Sequence, residues 1–179
     1  MERDLIGADD PSATMITIRL IRSADAAGFH DTLGEVCRER RYLATIEGPP
    51  LANVEKFVNG NVSAGHAQFV AEDEGRIVGW CDAIPGELGG AHIGRLGMGV
   101  LKDYRGQKIG QRLLEATIER CWENGLQKIE LSVYSSNEAA MQLYKKLGFV
   151  EEGVKKRGRL VDGIYDDVVL MALFPDGGA

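Results

Sequence analysis

Cysteine and histidine are scarce in this chain, and neither is clustered. Cys37, Cys81 and Cys121 are odd in number, widely scattered and without CxxC spacing. That argues against a disulfide framework or a zinc site and suits reduced thiols in the cytoplasm. His30, His66 and His92 show no ligand spacing either, so no metal is expected. No apolar run approaches the roughly 18 residues of a membrane span. The opening Met1-Glu2-Arg3-Asp4 is too acidic and too mixed for a secretory leader. Basic charge is also in deficit: 21 Lys and Arg stand against 27 Asp and Glu, a net charge of −6. Phosphate-backbone binding needs a basic surface, so nucleic acid is not an expected partner.

What is present is enough for one core. At 179 residues and 44% hydrophobic, the chain is short for two ordinary domains. No repeat, low-complexity stretch or linker divides it. Residues 1–14 read as an N-terminal tail, 15–174 as a single domain and 175–179 as a C-terminal tail.

Strand and helix periodicities alternate along the domain. Met15 to Ile21 reads as a first strand, followed by a helix from the Ser23/Asp25 caps towards Arg41. Pro49-Pro50 precedes a helix over Leu51–Val62, with Val54, Phe57 and Val58 on its buried side. Gln68–Glu72 and Arg76–Asp82 read as a hairpin about Asp73-Glu74-Gly75. A strand over Ala91–Leu101 leads to a long helix that Asn124-Gly125 closes. Lys128–Tyr134 alternates cleanly, and a helix capped by Asn137 ends at Gly148. Two last strands, about Phe149–Lys156 and Ile164–Phe174, are joined by a loop containing Arg157-Gly158-Arg159 and Asp162-Gly163. The order β-α-α-β-β-β-α-β-α-β-β is that of one α/β domain.

Two segments carry chemistry. In Tyr104-Arg105-Gly106-Gln107-Lys108-Ile109-Gly110 a strand stops, a basic Gly-containing turn follows and a helix starts. Free backbone N–H groups at the positive end of a helix bind phosphate. Neither GxGxxG nor GxxxxGK[ST] occurs, so this is not a dinucleotide fingerprint or a nucleotide P-loop. In the second segment, Asn137 and Tyr144 lie seven residues apart, almost two helical turns, which puts the amide and the phenol on one face.

Together the segments resemble the GNAT superfamily of acyl-CoA-dependent N-acetyltransferases. Its turn signature, Val-x-Pro-x-Tyr-Arg-Gly-x-Gly-Ile-Gly, corresponds to Val100 through Gly110, with Lys102 in place of Pro and Lys108 in place of the middle Gly. Its second signature is matched by Asn137, Ala140, Leu143, Tyr144, Lys146, Gly148 and Phe149. The resemblance extends from Met15 to Phe174. It implies a mixed, mostly antiparallel central sheet of about six to seven strands, flanked by helices and splayed at the acetyl-CoA site. A Lys at position 108 costs about 1 kcal/mol or more if φ is positive there. The expectation is helical φ, where Lys costs nothing and adds a cation near the CoA phosphates.

The resemblance also implies roles. Met98 and Val100 would pair through their backbone with the pantetheine arm, with Gly97 and Gly99 easing the irregular strand. Amides of Arg105, Gly106, Gln107, Lys108, Ile109 and Gly110 would cradle the pyrophosphate, and Asn137 would bond the arm near the thioester. A main-chain N–H near Met98 would polarise the thioester carbonyl, and Tyr144 would protonate the departing thiolate as general acid. His92 is a candidate base because imidazole is the side chain most often used as a general base; Asp82 and Glu87 are weaker ones. Asp166 and Asp167 would attract a cationic amine, and Arg157 or Arg159 would hold a carboxylate. The expected function is acetyl transfer to a primary amine of a small molecule such as an amino acid or related amine. The alternatives are a protein or peptide acetyltransferase and a non-catalytic acyl-CoA-binding regulatory domain. Many relatives pair through their C-terminal strands, so a homodimer is a further expectation.

Overall fold

Segments that alternate apolar and polar residues become the strands of a single sheet in the computed structural model, which describes residues 15–177. In chain order the elements are β1 (Thr17–Leu20), α1 (Ala26–Arg38), α2 (Leu51–Ala64), β2 (Ala67–Asp73), β3 (Arg76–Pro85), β4 (Ile93–Val100), α3 (Ile109–Glu123), β5 (Lys128–Tyr134), α4 (Glu138–Lys146), β6 (Val150–Val161) and β7 (Ile164–Leu173). The strands lie in the order β1-β2-β3-β4-β5-β7-β6. Every neighbouring pair is antiparallel except β4 and β5. The tails expected at 1–14 and 175–179 fall wholly or partly outside the described residues.

Successive residues of β3 point to opposite faces, and this assigns the helices to layers. Trp80 meets Phe29 of α1 edge-on, with centroids 5.6 Å apart. The next residue, Cys81, belongs to the face covered by α3, where the Thr117 hydroxyl lies 3.3 Å from the Cys81 carbonyl. Leu113, Leu114 and Thr117 of α3 are fully buried against that side, as expected for the apolar stripe of an amphipathic helix.

The feature that positions the site is a gap in the sheet. β4 and β5 pair only through Ile93–Lys128, Gly94–Ile129 and Arg95–Glu130, and then part. Beyond the parting, β5 continues beside β7 as far as Tyr134–Val168, while β4 continues beside β3 as far as Gly79–Val100.

Three local expectations need correction. Phe57 is 39% exposed, because α2 turns it towards a surface cavity. Arg157-Gly158-Arg159 is not part of a loop: β6 runs through it, with a bulge between Lys155 and Arg159. Arg157 takes φ 50° there, so two extra residues are absorbed inside the strand. The connection shrinks to Asp162-Gly163, both at positive φ (53° and 77°), as a two-residue turn that follows strand twist requires.

Candidate active site

The parted strand β4 presents a readable row of backbone groups. Leu101 N–H donates to the Val78 carbonyl at 2.9 Å. By antiparallel alternation, residues 99 and 97 also face β3, and Met98 and Val100 face the gap. The Val100 carbonyl is already taken, since it accepts from Arg105 Nε at 2.9 Å. Met98 N–H, Met98 C=O and Val100 N–H are left for an extended ligand, in the order donor, acceptor, donor.

The turn after β4 adds a second group of donors. Gly106 and Lys108 stand at φ 78° and 60°, with Lys108 as the N-cap of α3 in the left-handed region. The expectation that Lys108 occupies helical space is thus overturned: the position needs positive φ, and its side chain bears the strain. No side chain caps this helix, and the first intrahelical bond is from Arg112 N–H to the Lys108 carbonyl at 3.1 Å. The amides of Ile109, Gly110 and Gln111 stay unpaired at the positive end of a 15-residue helix. Arg105, by contrast, spends its guanidinium on protein. Two nitrogens bind Glu39 at 2.8 and 2.5 Å, and the group stacks over the Tyr42 ring at 4.7 Å.

Met98, Val100, the turn and α4 enclose a cleft of about 410 Å³. Arg105, Gly106, Lys108, Ile109 and Gly110 all line it, as do Asn137 and Tyr144. Gln107 lies outside this lining and borders a separate surface hollow beside β1. Asn137 caps α4 through its side-chain oxygen, which accepts from Ala140 N–H at 3.3 Å. Tyr144 is 6% exposed, packed on Phe149 with centroids 5.6 Å apart. Burial pushes its phenol well above the usual tyrosine range, so it carries its proton throughout the physiological range. At Gly110, an added Cβ would sit 3.4 Å from Met98 Cε, so the helix start fits closely against β4.

On the other face of β4 lies a second cavity, of about 320 Å³. Phe29, Leu33, Leu43, Phe57 and Trp80 form its walls, and Asp82 and Gly97 its floor. Met98 lines both cavities, so they adjoin there. The glycines of β4 serve this space. A Cβ at Gly99 would lie 2.4 Å from the Trp80 ring, which means that the indole needs the vacancy. Gly97 leaves the space beside the Asp82 carboxylate open. Asp82 is 8% exposed, and burial pushes its carboxyl up to about 7.

A family model described as the acetyltransferase (GNAT) family matches residues 37–149, a stretch that contains the parted strand, the turn, α3 and Tyr144. The chain belongs to this family. Membership makes it an N-acetyltransferase by class.

Among its relatives, a Bacillus subtilis protein named as a ribosomal protein bS18-alanine N-acetyltransferase is 31% identical over 103 residues, 58% of this chain and 65% of that protein. The L-amino acid N-acetyltransferase AaaT of Escherichia coli is 32% identical over 111 residues, 60% of this chain and 68% of that one. A GNAT-family acetyltransferase structure from Streptococcus pneumoniae superposes with a TM-score of 0.83 at 30% identity, covering 89% of this chain and 99% of that one. The yncA structure from Salmonella typhimurium, which contains acetyl-CoA, has a TM-score of 0.84 at 20% identity, covering 92% and 96%. At that identity the likeness is one of fold.

The acetyltransferase structure does not bring every candidate from the sequence to the site. His92 is exposed ahead of β4, where its carbonyl accepts from Gln127 N–H at 2.9 Å, and it borders neither cavity. Glu87 is exposed in the loop before it. Asp166 accepts from the Ser135 and Ser136 hydroxyls, and Asp167 from Lys156 and the Arg157 amide. Arg159 donates to the Arg40 carbonyl and stacks on Tyr134 at 4.5 Å. These groups are committed to holding the hairpin. Trp80 and Glu39 carried no chemical motif of their own, and only the register of β3 with β4 and the course of the segment after α1 reveal their parts.

Proposed function

We propose that this acetyltransferase moves the acetyl group of acetyl-CoA onto a primary amine of a small molecule, by direct attack of the neutral amine on the thioester. The observation that carries the reading is the meeting of two cavities at Met98. One is lined by backbone donors and the uncapped start of α3, and the other is small and apolar with a carboxylate in its floor.

In this reading Met98 and Val100 hold the pantetheine arm, and the Met98 N–H polarises the thioester carbonyl. The turn amides and the start of α3 take the pyrophosphate, with Lys108 adding a cation. Asn137, which lines the cleft, supports the arm. Tyr144 gives its proton to the thiolate as the carbon–sulfur bond breaks. The 320 Å³ acceptor cavity suits an amine of amino-acid size. Acetylation of a protein N-terminus is the second reading, favoured by the Bacillus relative's name.

No helix among the described residues is long and apolar enough to cross a membrane. Three buried free thiols support a place in the reducing cytoplasm. A homodimer through β6 and β7 belongs to the same proposal, supported by the exposure of Leu160, Ile164 and Tyr165 near the hairpin tip; light scattering on the purified protein tests it.

The function is tested by thiol release from acetyl-CoA against amino acids, amino-acid amides, polyamines, aminoglycosides and N-terminal peptides. Release with one small amine class, lost in Tyr144→Phe, is the expected result. Release with peptides alone would move the acceptor to protein. Silence with every amine, while calorimetry shows acetyl-CoA bound, would leave a non-catalytic acyl-CoA-binding domain.

A further inference from the structure

Building on the proposed acetyl transfer, we infer that Asp82 is the acceptor-side base, that Gln68 positions it, and that the pocket takes a primary amine borne on a small apolar group with no carboxylate beside it. The first support is placement. Asp82 lies in the floor of the 320 Å³ pocket, across the β3–β4 register from Gly97 and one residue from the Met98 junction with the donor cleft. An added Cβ at Gly97 would stand 3.6 Å from Asp82 Oδ1. The missing side chain is therefore the opening through which an amine reaches both the carboxylate and the thioester.

The second support is a buried polar chain on the same face of the sheet, whose last member is paired with Asp82 in register. Gln68 is fully buried and is the direct partner of Asp82 in the β2–β3 register, so the two side chains share a face. His66 Nδ1 lies 3.2 Å from Asn61 Oδ1. Asn61 Nδ2 donates to Gln68 Oε1 at 2.8 Å. With its oxygen taken, Gln68 offers only Nε2, and that atom is buried without a partner among the described residues. Each group in the series donates to the next, and the unspent donor belongs to the residue paired with Asp82, with no hydrogen bond between the two in this structure. A side-chain rotation that brings Nε2 onto the carboxylate would give the ionised Asp82 a donor and Gln68 its missing partner.

The lining selects the substrate. Phe29, Leu33, Leu43, Phe57 and Trp80 surround the space. Of the residues contributed by α1, the segment after it, α2, β3 and β4, only Asp82 ionises. From β2 the facing group is the neutral Gln68, with His66 at the outer end of its chain. On the opposite face Cys81 feels the Asp82 charge. An ammonium finds a counter-ion here and a carboxylate finds none. Leucinamide and phenylalaninamide fit this description, whereas leucine itself does not.

Protons balance as follows. Asp82 takes one proton from the entering ammonium and later returns it to solvent. The nitrogen lone pair forms the new bond to the acetyl carbon, and the carbon–sulfur pair leaves on sulfur. That thiolate takes the Tyr144 proton, and the second nitrogen proton returns to Tyr144 through water. The net products are the amide, free CoA thiol and one proton.

The test is the pH profile of kcat/KM for leucinamide and phenylalaninamide in the wild type, Asp82→Asn and Gln68→Leu. Leucine and serinamide are controls, with acetyl-CoA affinity and thermal melts measured alongside. The wild type should rise through a midpoint near 7 and prefer leucinamide to leucine at least tenfold. Asp82→Asn should lose 10²-fold or more and the pH step, with acetyl-CoA affinity unchanged. Gln68→Leu should keep the step but move its midpoint and lower kcat several-fold. An Asp82→Asn enzyme within threefold of wild type with its pH step intact overturns the base. Equal rates with leucine and leucinamide overturn the selectivity. A Gln68→Leu profile that superposes on wild type overturns the positioning role. Silence of the wild type toward every amine, acetyl-CoA still bound, would overturn the transfer reading itself.

Discussion

Arg105 and Glu39 clasp each other fork to fork, with contacts of 2.8 and 2.5 Å. Through this one pair the segment leaving α1 is fastened to the turn that opens α3. The same segment is held at Arg40, which reaches Asp162 at the tip of the β6–β7 hairpin with two nitrogens, at 3.0 and 2.6 Å. Residues 42–45 follow closely after these two anchors. Tyr42 walls the donor cleft, and Leu43, Ala44 and Thr45 wall the acceptor pocket.

Arg105→Lys should therefore weaken both sites together. Lysine keeps the charge but loses the bidentate clasp, the Val100 contact and the stacking on Tyr42. The pair is partly exposed, so the stability loss should be modest, about 1 kcal/mol. Calorimetry should show acetyl-CoA affinity falling several-fold, with acceptor KM rising in the same variant.

Tyr144→Phe should lower kcat by about 10²-fold or more while leaving the KM for acetyl-CoA nearly unchanged, because the ring remains packed on Phe149. Steady-state kinetics read the split. An unaltered kcat would remove the phenol from the reaction.

Gly99→Ala should be among the most damaging single methyl additions in the chain. Its Cβ would meet the Trp80 ring at 2.4 Å, and overpacking of this kind costs roughly 1–3 kcal/mol. Denaturant unfolding should show that loss. Acceptor KM should rise as well, since the displaced indole is a wall of the pocket.

Lys108→Gly should stabilise the protein by about 1 kcal/mol through relief of the φ 60° strain. It should weaken acetyl-CoA binding at the same time, because it removes a cation beside the turn. A melt that rises while affinity falls is the expected signature.

Asp82 should also mark the pH dependence of stability. Burial raises its folded-state pKa to about 7, against about 3.9 in an unfolded chain. The folded protein thus holds this proton more tightly. Its contribution is complete below pH about 4 and is lost as pH rises through 7. Asp82→Asn should be insensitive to that window and should gain on the wild type from pH 5 to 8, by on the order of 2 kcal/mol. Chemical denaturation at several pH values measures the difference.

Most of the lining of the cleft along β4 was legible in the sequence because it is written locally. A strand, a turn and a helix start are consecutive, and Asn137 and Tyr144 are joined by helical periodicity. The pocket at Asp82 was not legible, because it is assembled across register. Asp82 gains its setting from Gly97 on the next strand and Gln68 on the previous one, and a list of titratable residues could not rank it above His92. The Lys108 backbone was misread because the charge argument for Lys is equally good in either conformation, so it could not decide φ. Arg157-Gly158-Arg159 looked like a loop because glycine and charge mark turns, yet a bulge uses the same residues inside a strand.

The parting of β4 from β5 leaves a stretch of open edge in the middle of the sheet, where a protein ordinarily closes its hydrogen bonds. Such an edge invites any extended backbone to add itself. Here the Arg105 side chain plugs the Val100 carbonyl at its far end, so that a full strand cannot zip along it, while a short amide-bearing arm can. In the proposed function, such an arm, once lodged, would act as the missing strand. Its binding free energy would then add to the stability of the fold by mass action, so the folded population would follow the acetyl-CoA supply, and the protein would be easiest to unfold when its donor is scarce.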